Sequence, residues 1–191
     1  MRRGKGARSA HGWSRVSGRL WKTVLGIGAL AGAILSVAGV VGLFAPDDSP
    51  KPVRAAVDQI ENAASRYGSA LTRAVALRNV VGSSAFDRWV ADSARIEAVL
   101  RTDFPQTVEP WRRYDAALRF AQVVLDANAT SVGNEAFRAS QARRLVDLAG
   151  TGESRILIDP RHRGYDLEWA TVLGQLDMQK DKIVDQLLRE A

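Results

Sequence analysis

Cysteine is absent from all 191 residues, which excludes disulfides, thiolate nucleophiles and cysteine-ligated metals. Histidine is nearly absent too, with only His11 and His162, and neither belongs to a metal-binding spacing such as HExxH. No EF-hand loop and no glycine-rich nucleotide loop is present. The sequence therefore carries no catalytic, cofactor or metal signature, and the expectation is a non-enzymatic protein with no cofactor and no metal. Strand-like sequence is scarce as well. Only Arg155 to Asp159 (RILID) has that character, and one isolated strand cannot build a sheet, so it reads as an extended connector.

The charge is unevenly divided. Residues 1 to 46 hold seven basic residues (Arg2, Arg3, Lys5, Arg8, Arg15, Arg19, Lys22) and no acid, whereas residues 47 to 191 hold 20 basic and 21 acidic ones. The isoelectric point near 10.2 thus belongs to the N-terminal tail. A basic run beside an apolar segment fits membrane topology and anionic lipid better than DNA, so no nucleic-acid partner is expected. The excess of arginine over lysine, with abundant alanine, resembles the coding bias of a GC-rich bacterium.

Between Lys22 and Asp47 the chain is uncharged, with Thr23 and Ser36 its only polar side chains. About 22 residues at about 1.5 Å each reach about 33 Å, enough to cross a hydrocarbon core of about 30 Å. Trp21 and Phe44 mark interfacial depth, and Pro46, Asp47 and Asp48 end the segment in water. A cleaved signal peptide has a shorter apolar core, and Pro46 is a poor residue just after a cut, so the reading is an uncleaved signal-anchor. The twin-arginine route does not fit, because Arg2 and Arg3 lie far from the apolar core. The expected organisation is a basic cytoplasmic tail (1–22), one transmembrane helix (23–46) and a soluble domain (47–191). The positive-inside rule places that domain outside the cytoplasm.

Two further expectations attach to this region. Gly28, Gly32 and Ser36 recur every four residues, a face through which spans can self-associate into a homo-oligomer. Trp13, Val16 and Leu20, interleaved with Arg15, Arg19 and Lys22, suit a surface helix gripping anionic headgroups of membrane lipid.

The remainder reads as all-α, an up-and-down bundle of four or five helices. Val53, Val57, Ile60, Ala64, Tyr67, Leu71 and Ala74 alternate spacings of four and three, predicting a helix that runs to about Val81 and ends at Gly82. Ser84 and Asp87 suggest a capping-box start for a second helix through about Arg101, burying Phe86, Trp89, Ile96 and Leu100. Thr107 is the expected cap of a third helix, with Pro110 in its first turn and Trp111, Tyr114, Leu118, Ala121 and Leu125 on its stripe. Asn134 caps a fourth, carrying Phe137, Leu145 and Leu148 up to Gly150. A last helix spans about Tyr165 to Glu190, with Lys180 interrupting its apolar stripe.

The best candidate for chemistry is the loop from Asp159 to Asp166. Arg161, His162 and Arg163 can together hold a phosphate or carboxylate as an anion-binding loop. A polar connection bearing Pro160 and Gly164 is also what any helix link looks like. Asp87/Asp92, Asp177/Asp181, Arg112-Arg113 and Arg143-Arg144 read as solvated helix faces, and Asn128-Ala129-Thr130 matches a glycosylation sequon. The sequence thus predicts a membrane-tethered interaction or scaffold module whose bundle meets a protein partner. Its rivals are a holin-like or effector protein whose span oligomerises, and an extracytoplasmic ligand sensor.

Overall fold

The structure is a computed structural model that describes residues 51–131 and 133–190. The tail, the predicted span, the Gly28, Gly32 and Ser36 face and the headgroup-binding residues lie outside the described residues. Among the described residues the secondary structure is helical, and no helix is long and apolar enough to cross a membrane.

Five helices of three or more turns and one short turn build the bundle: α1 (Lys51–Leu77), α2 (Ser83–Asp103), α3 (Val108–Thr130), α4 (Glu135–Ala149), α5 (Ser154–Leu157) and α6 (Tyr165–Arg189). A 3₁₀ turn, Pro105–Thr107, joins α2 to α3. Helices α1, α2, α3 and α6 pack around one core, and α4 lies chiefly against α3. Helices α1 to α4 alternate in direction, and α6 runs antiparallel to α1 and therefore parallel to α4, whose last turn meets Gln179 midway along α6. Tyr67 meets Trp89, Trp89 meets Asp115, Phe120 meets Arg144, and Arg78 at the end of α1 meets Asp166 at the start of α6.

The predicted apolar stripes supply this core. Every α1 stripe residue is buried except Val57, which is half-buried, and the small Ala64 and Ala74 let neighbouring helices approach closely. Trp89, Trp111 and Trp169 are all at most 1% exposed, so they are core residues. Tyr67 stacks on Trp89 at 5.1 Å with an interplanar angle of 10°, and Trp111 and Tyr114 extend the aromatic cluster. Burial pushes the Tyr114 phenol well above its ordinary range, with Asp177, Asp181 and Asp115 adding to the effect.

A ladder of polar side chains on α3 fastens the α1–α2 pair to it. Trp89 Nε1 donates to Asp115 Oδ1 at 2.8 Å, and Arg119 Nε donates to Asp115 Oδ2 at 2.8 Å. Tyr67 Oη donates to Gln122 Oε1 at 3.3 Å, Gln122 donates to Asp126, and Asp126 accepts from the backbone N–H of Val81 at 2.8 Å. Residues 115, 119, 122 and 126 recur at spacings of four, three and four, so one stripe of the helix carries the whole ladder.

Several boundaries differ from the sequence expectation. Helix α1 stops at Leu77, not Val81, because Arg78 takes the left-handed conformation (φ 48°). The N–H groups of Asn79 and Arg78 then close back onto Ala74 and Val75, a Schellman ending. Gly82 precedes α2 as its N-cap, and no side chain caps that helix, so the Ser84/Asp87 capping box does not form. Thr107 likewise makes no cap; it is buried, and its hydroxyl donates to Phe104 O at 2.7 Å, fixing the 3₁₀ turn.

Asn134 caps α4 as predicted, accepting from Phe137 N at 2.8 Å. Phe137 itself faces outward at 44% exposure, and Ala142, Leu145 and Ala149 bury that helix instead. Residues 155–159 are not extended: Ser154–Leu157 form a helical turn, and adjacent Leu157 and Ile158 both point into the core. Strand alternation would have sent one of them outward.

Candidate functional site

The 158–166 connection lies at the end of the bundle opposite Lys51. The guanidinium of Arg78 holds it there: Nε donates to Pro160 O at 3.0 Å, one terminal nitrogen pairs with Asp166 at 3.1 Å, and the group lies over the Tyr165 ring. These contacts offset the backbone cost of about 1–2 kcal/mol for a left-handed non-glycine residue. Within the turn, Asp159 Oδ1 accepts from Arg161 N and His162 Nδ1 accepts from Gly164 N, so the imidazole is engaged locally.

Against this turn the fold builds a groove of about 1160 Å³, open to solvent. One wall is α4, with Glu135, Ala139 and Arg143 a turn apart and Arg138 beside them. The other wall is Ser154 and Arg155 of α5 and the following residues Ile158 to Arg161. Asn128 and Ser131, from the C-terminal end of α3, form the floor.

Four arginines, Arg138, Arg143, Arg155 and Arg161, therefore face one space with only Glu135 and Asp159 as acids. None of the four guanidinium groups has an ion-pair or hydrogen-bond partner among the described residues, and the Arg138 Nε is buried. Elsewhere in the bundle Arg66 and Arg95 pair with Asp92, Arg101 and Arg112 with Glu97, and Arg119 with Asp115, while Arg73, Arg88, Arg163 and Arg189 likewise have no ion-pair partner among the described residues; what sets the groove apart is that four arginines line one space. Asn128 is only 8% exposed. Its amide nitrogen donates to Leu157 O at 2.7 Å, and its carbonyl oxygen has no partner. The burial of Asn128 also removes it as a glycosylation acceptor.

Of the predicted anion-binding loop, Arg161 lines the groove, whereas His162 and Arg163 are exposed and outside its lining. Arg138, Arg143 and Arg155 escaped the sequence reading because they lie up to 23 positions from Arg161, and Arg143 reads there as a solvated face. Asp177 and Asp181 do not act as a free pair; both bind the Lys180 ammonium, at 2.9 and 3.0 Å. Burial lowers the Lys180 pKa, but the hydrogen bonds and charges of the two carboxylates outweigh it and hold the pKa above its ordinary value. Among the described residues no group of three or more histidine, aspartate or glutamate side chains is placed to hold a metal ion.

These residues define an antiparallel helical bundle with a basic groove at one end. The chain matches no protein-family model, and no curated protein or solved structure is significantly similar to it.

Proposed function

We propose that this chain is a non-enzymatic, membrane-tethered interaction module. The uncharged segment from about Val24 to Ala45 anchors it, the basic tail stays in the cytoplasm, and the bundle stands outside the cytoplasm, where it binds a protein partner. The observation that carries this reading is the pairing of a span-length apolar segment with a bundle whose interior is filled by its own side chains. Twelve large side chains, among them Trp89, Trp111, Trp169 and Tyr165, are less than 2% exposed, which leaves recognition to the surface.

The test has two arms. Carbonate extraction and protease protection of the full chain should place it in the membrane fraction with the bundle accessible only from outside. Proximity labelling from the C-terminus should mark a reproducible protein neighbour. A catalytic turnover by the full chain that is lost on His162→Ala would overturn the non-enzymatic reading.

A further inference from the structure

We infer that the arginine-lined groove is a recognition site for an acidic peptide segment of a protein partner. This rests on the interaction-module reading and specifies its contact surface. Four unpaired guanidinium groups are charge that the fold has not used. An arginine fork matches carboxylate geometry with two parallel hydrogen bonds, and a row of them selects a ligand bearing several carboxylates. Glu135 occupies the first turn of α4, where the helix N-terminus favours its negative charge, so it competes little for the arginines.

A peptide fits the lining better than phosphate does. Glu135 and Asp159 stand among the arginines, and both repel a polyphosphate, whereas a peptide can place a basic or neutral residue against each. Ala139 and Pro160 add apolar lining beside the charges, which suits the intervening side chains of such a segment.

The chain enters the bundle at Lys51, and the groove lies at the other end of α1, whose 27 residues span about 40 Å.

The experiment uses the full chain in neutral detergent and a fluorescein-labelled peptide of repeating Glu-Ala-Glu-Leu units, followed by fluorescence anisotropy. The wild type should bind it, binding should weaken as salt is raised, and a peptide with lysine in place of glutamate should not bind. The triple variant Arg143→Gln, Arg155→Gln, Arg161→Gln should lose at least about tenfold in affinity. Arg163→Gln, outside the lining, should bind as wild type. Circular dichroism of the triple variant should match wild type, because these three side chains have no partners to lose.

Equal binding by the triple variant, or no binding by the wild type, overturns the groove assignment. So does groove-dependent binding of phosphatidylglycerol vesicles or inorganic polyphosphate in preference to the peptide. Proximity labelling separates the two levels of the claim. A neighbour marked equally by wild type and triple variant leaves the module standing and removes the groove. A neighbour marked by neither removes the module.

Discussion

Replacing Trp89 first with phenylalanine and then with alanine separates what its hydrogen bond contributes from what its bulk contributes. The indole is 1% exposed, stacks on Tyr67, and donates at 2.8 Å to a carboxylate that Arg119 also holds. Trp89→Phe keeps most of the ring contacts and removes one bond to a charged acceptor, a loss of about 2 kcal/mol. Trp89→Ala opens a cavity among Tyr67, Trp111 and Tyr114 and should cost about 4 kcal/mol. With a urea slope of about 2 kcal/mol/M, the phenylalanine variant should melt about 1 M earlier, read from circular dichroism of the full chain in detergent. A double-mutant cycle with Asp115→Asn should return a coupling of about 1 kcal/mol. The ladder would be refuted as a stabilising device if Trp89→Phe stayed within about 0.5 kcal/mol of wild type, or if the two substitutions simply added.

Other perturbations test other parts of the fold. The hydrogen bond from Arg112, aided by Arg101 and opposed by burial, holds the Glu97 carboxyl below its ordinary value. Its contribution is present above about pH 4.5 and fades as pH falls through the depressed value, so Glu97→Gln should flatten the acid limb of the stability profile. Lys180 has the opposite sign: its contribution is full below 10.5 and lost as pH rises through the elevated value. Lys180→Met should therefore reduce the loss of stability in alkaline urea titrations. Asn134→Ala removes the α4 cap and should cost about 1 kcal/mol in the same assay. At Gly150 (φ 76°) an added Cβ meets nothing within 4 Å, so Gly150→Ala should cost only backbone strain, about 1 kcal/mol. Gly152→Ala should cost more, because its Cβ would stand 2.7 Å from Val172 Cγ2, and a reversed order in thermal melts would contradict the packing.

What the sequence made legible was periodic. The α1 stripe from Val53 to Ala74 and the α3 stripe from Trp111 to Leu125 are local patterns, and a helix buries such a stripe whatever its partners are. Asn134 was equally readable, since a cap acts within three residues. The end of α1 was not. Arg78 takes a backbone state usually left to glycine, and the groups that hold its side chain, Pro160 O, Asp166 and the Tyr165 ring, are more than 80 residues away. The RILID segment misled because β-branched residues favour strands only weakly, and tertiary burial of Leu157 and Ile158 decided otherwise. The groove was invisible for the same reason as the Arg78 cap. Its arginines come from three separate segments, and no spacing rule links them.

The antiparallel order of the bundle also fixes how it answers a pulling force. A load applied at residue 51 and resisted at the far end acts along α1, parallel to its contacts with α2 and α6. Such a load strains the interlocked side chains all along the helix at once, in shear, instead of peeling them apart one turn at a time. Arg78 then passes the tension from the last turn of α1 into the 158–166 connection through its grip on Pro160 and Asp166. Helix α1 thus works as a stiff rod, and Arg78 as the rivet at its end.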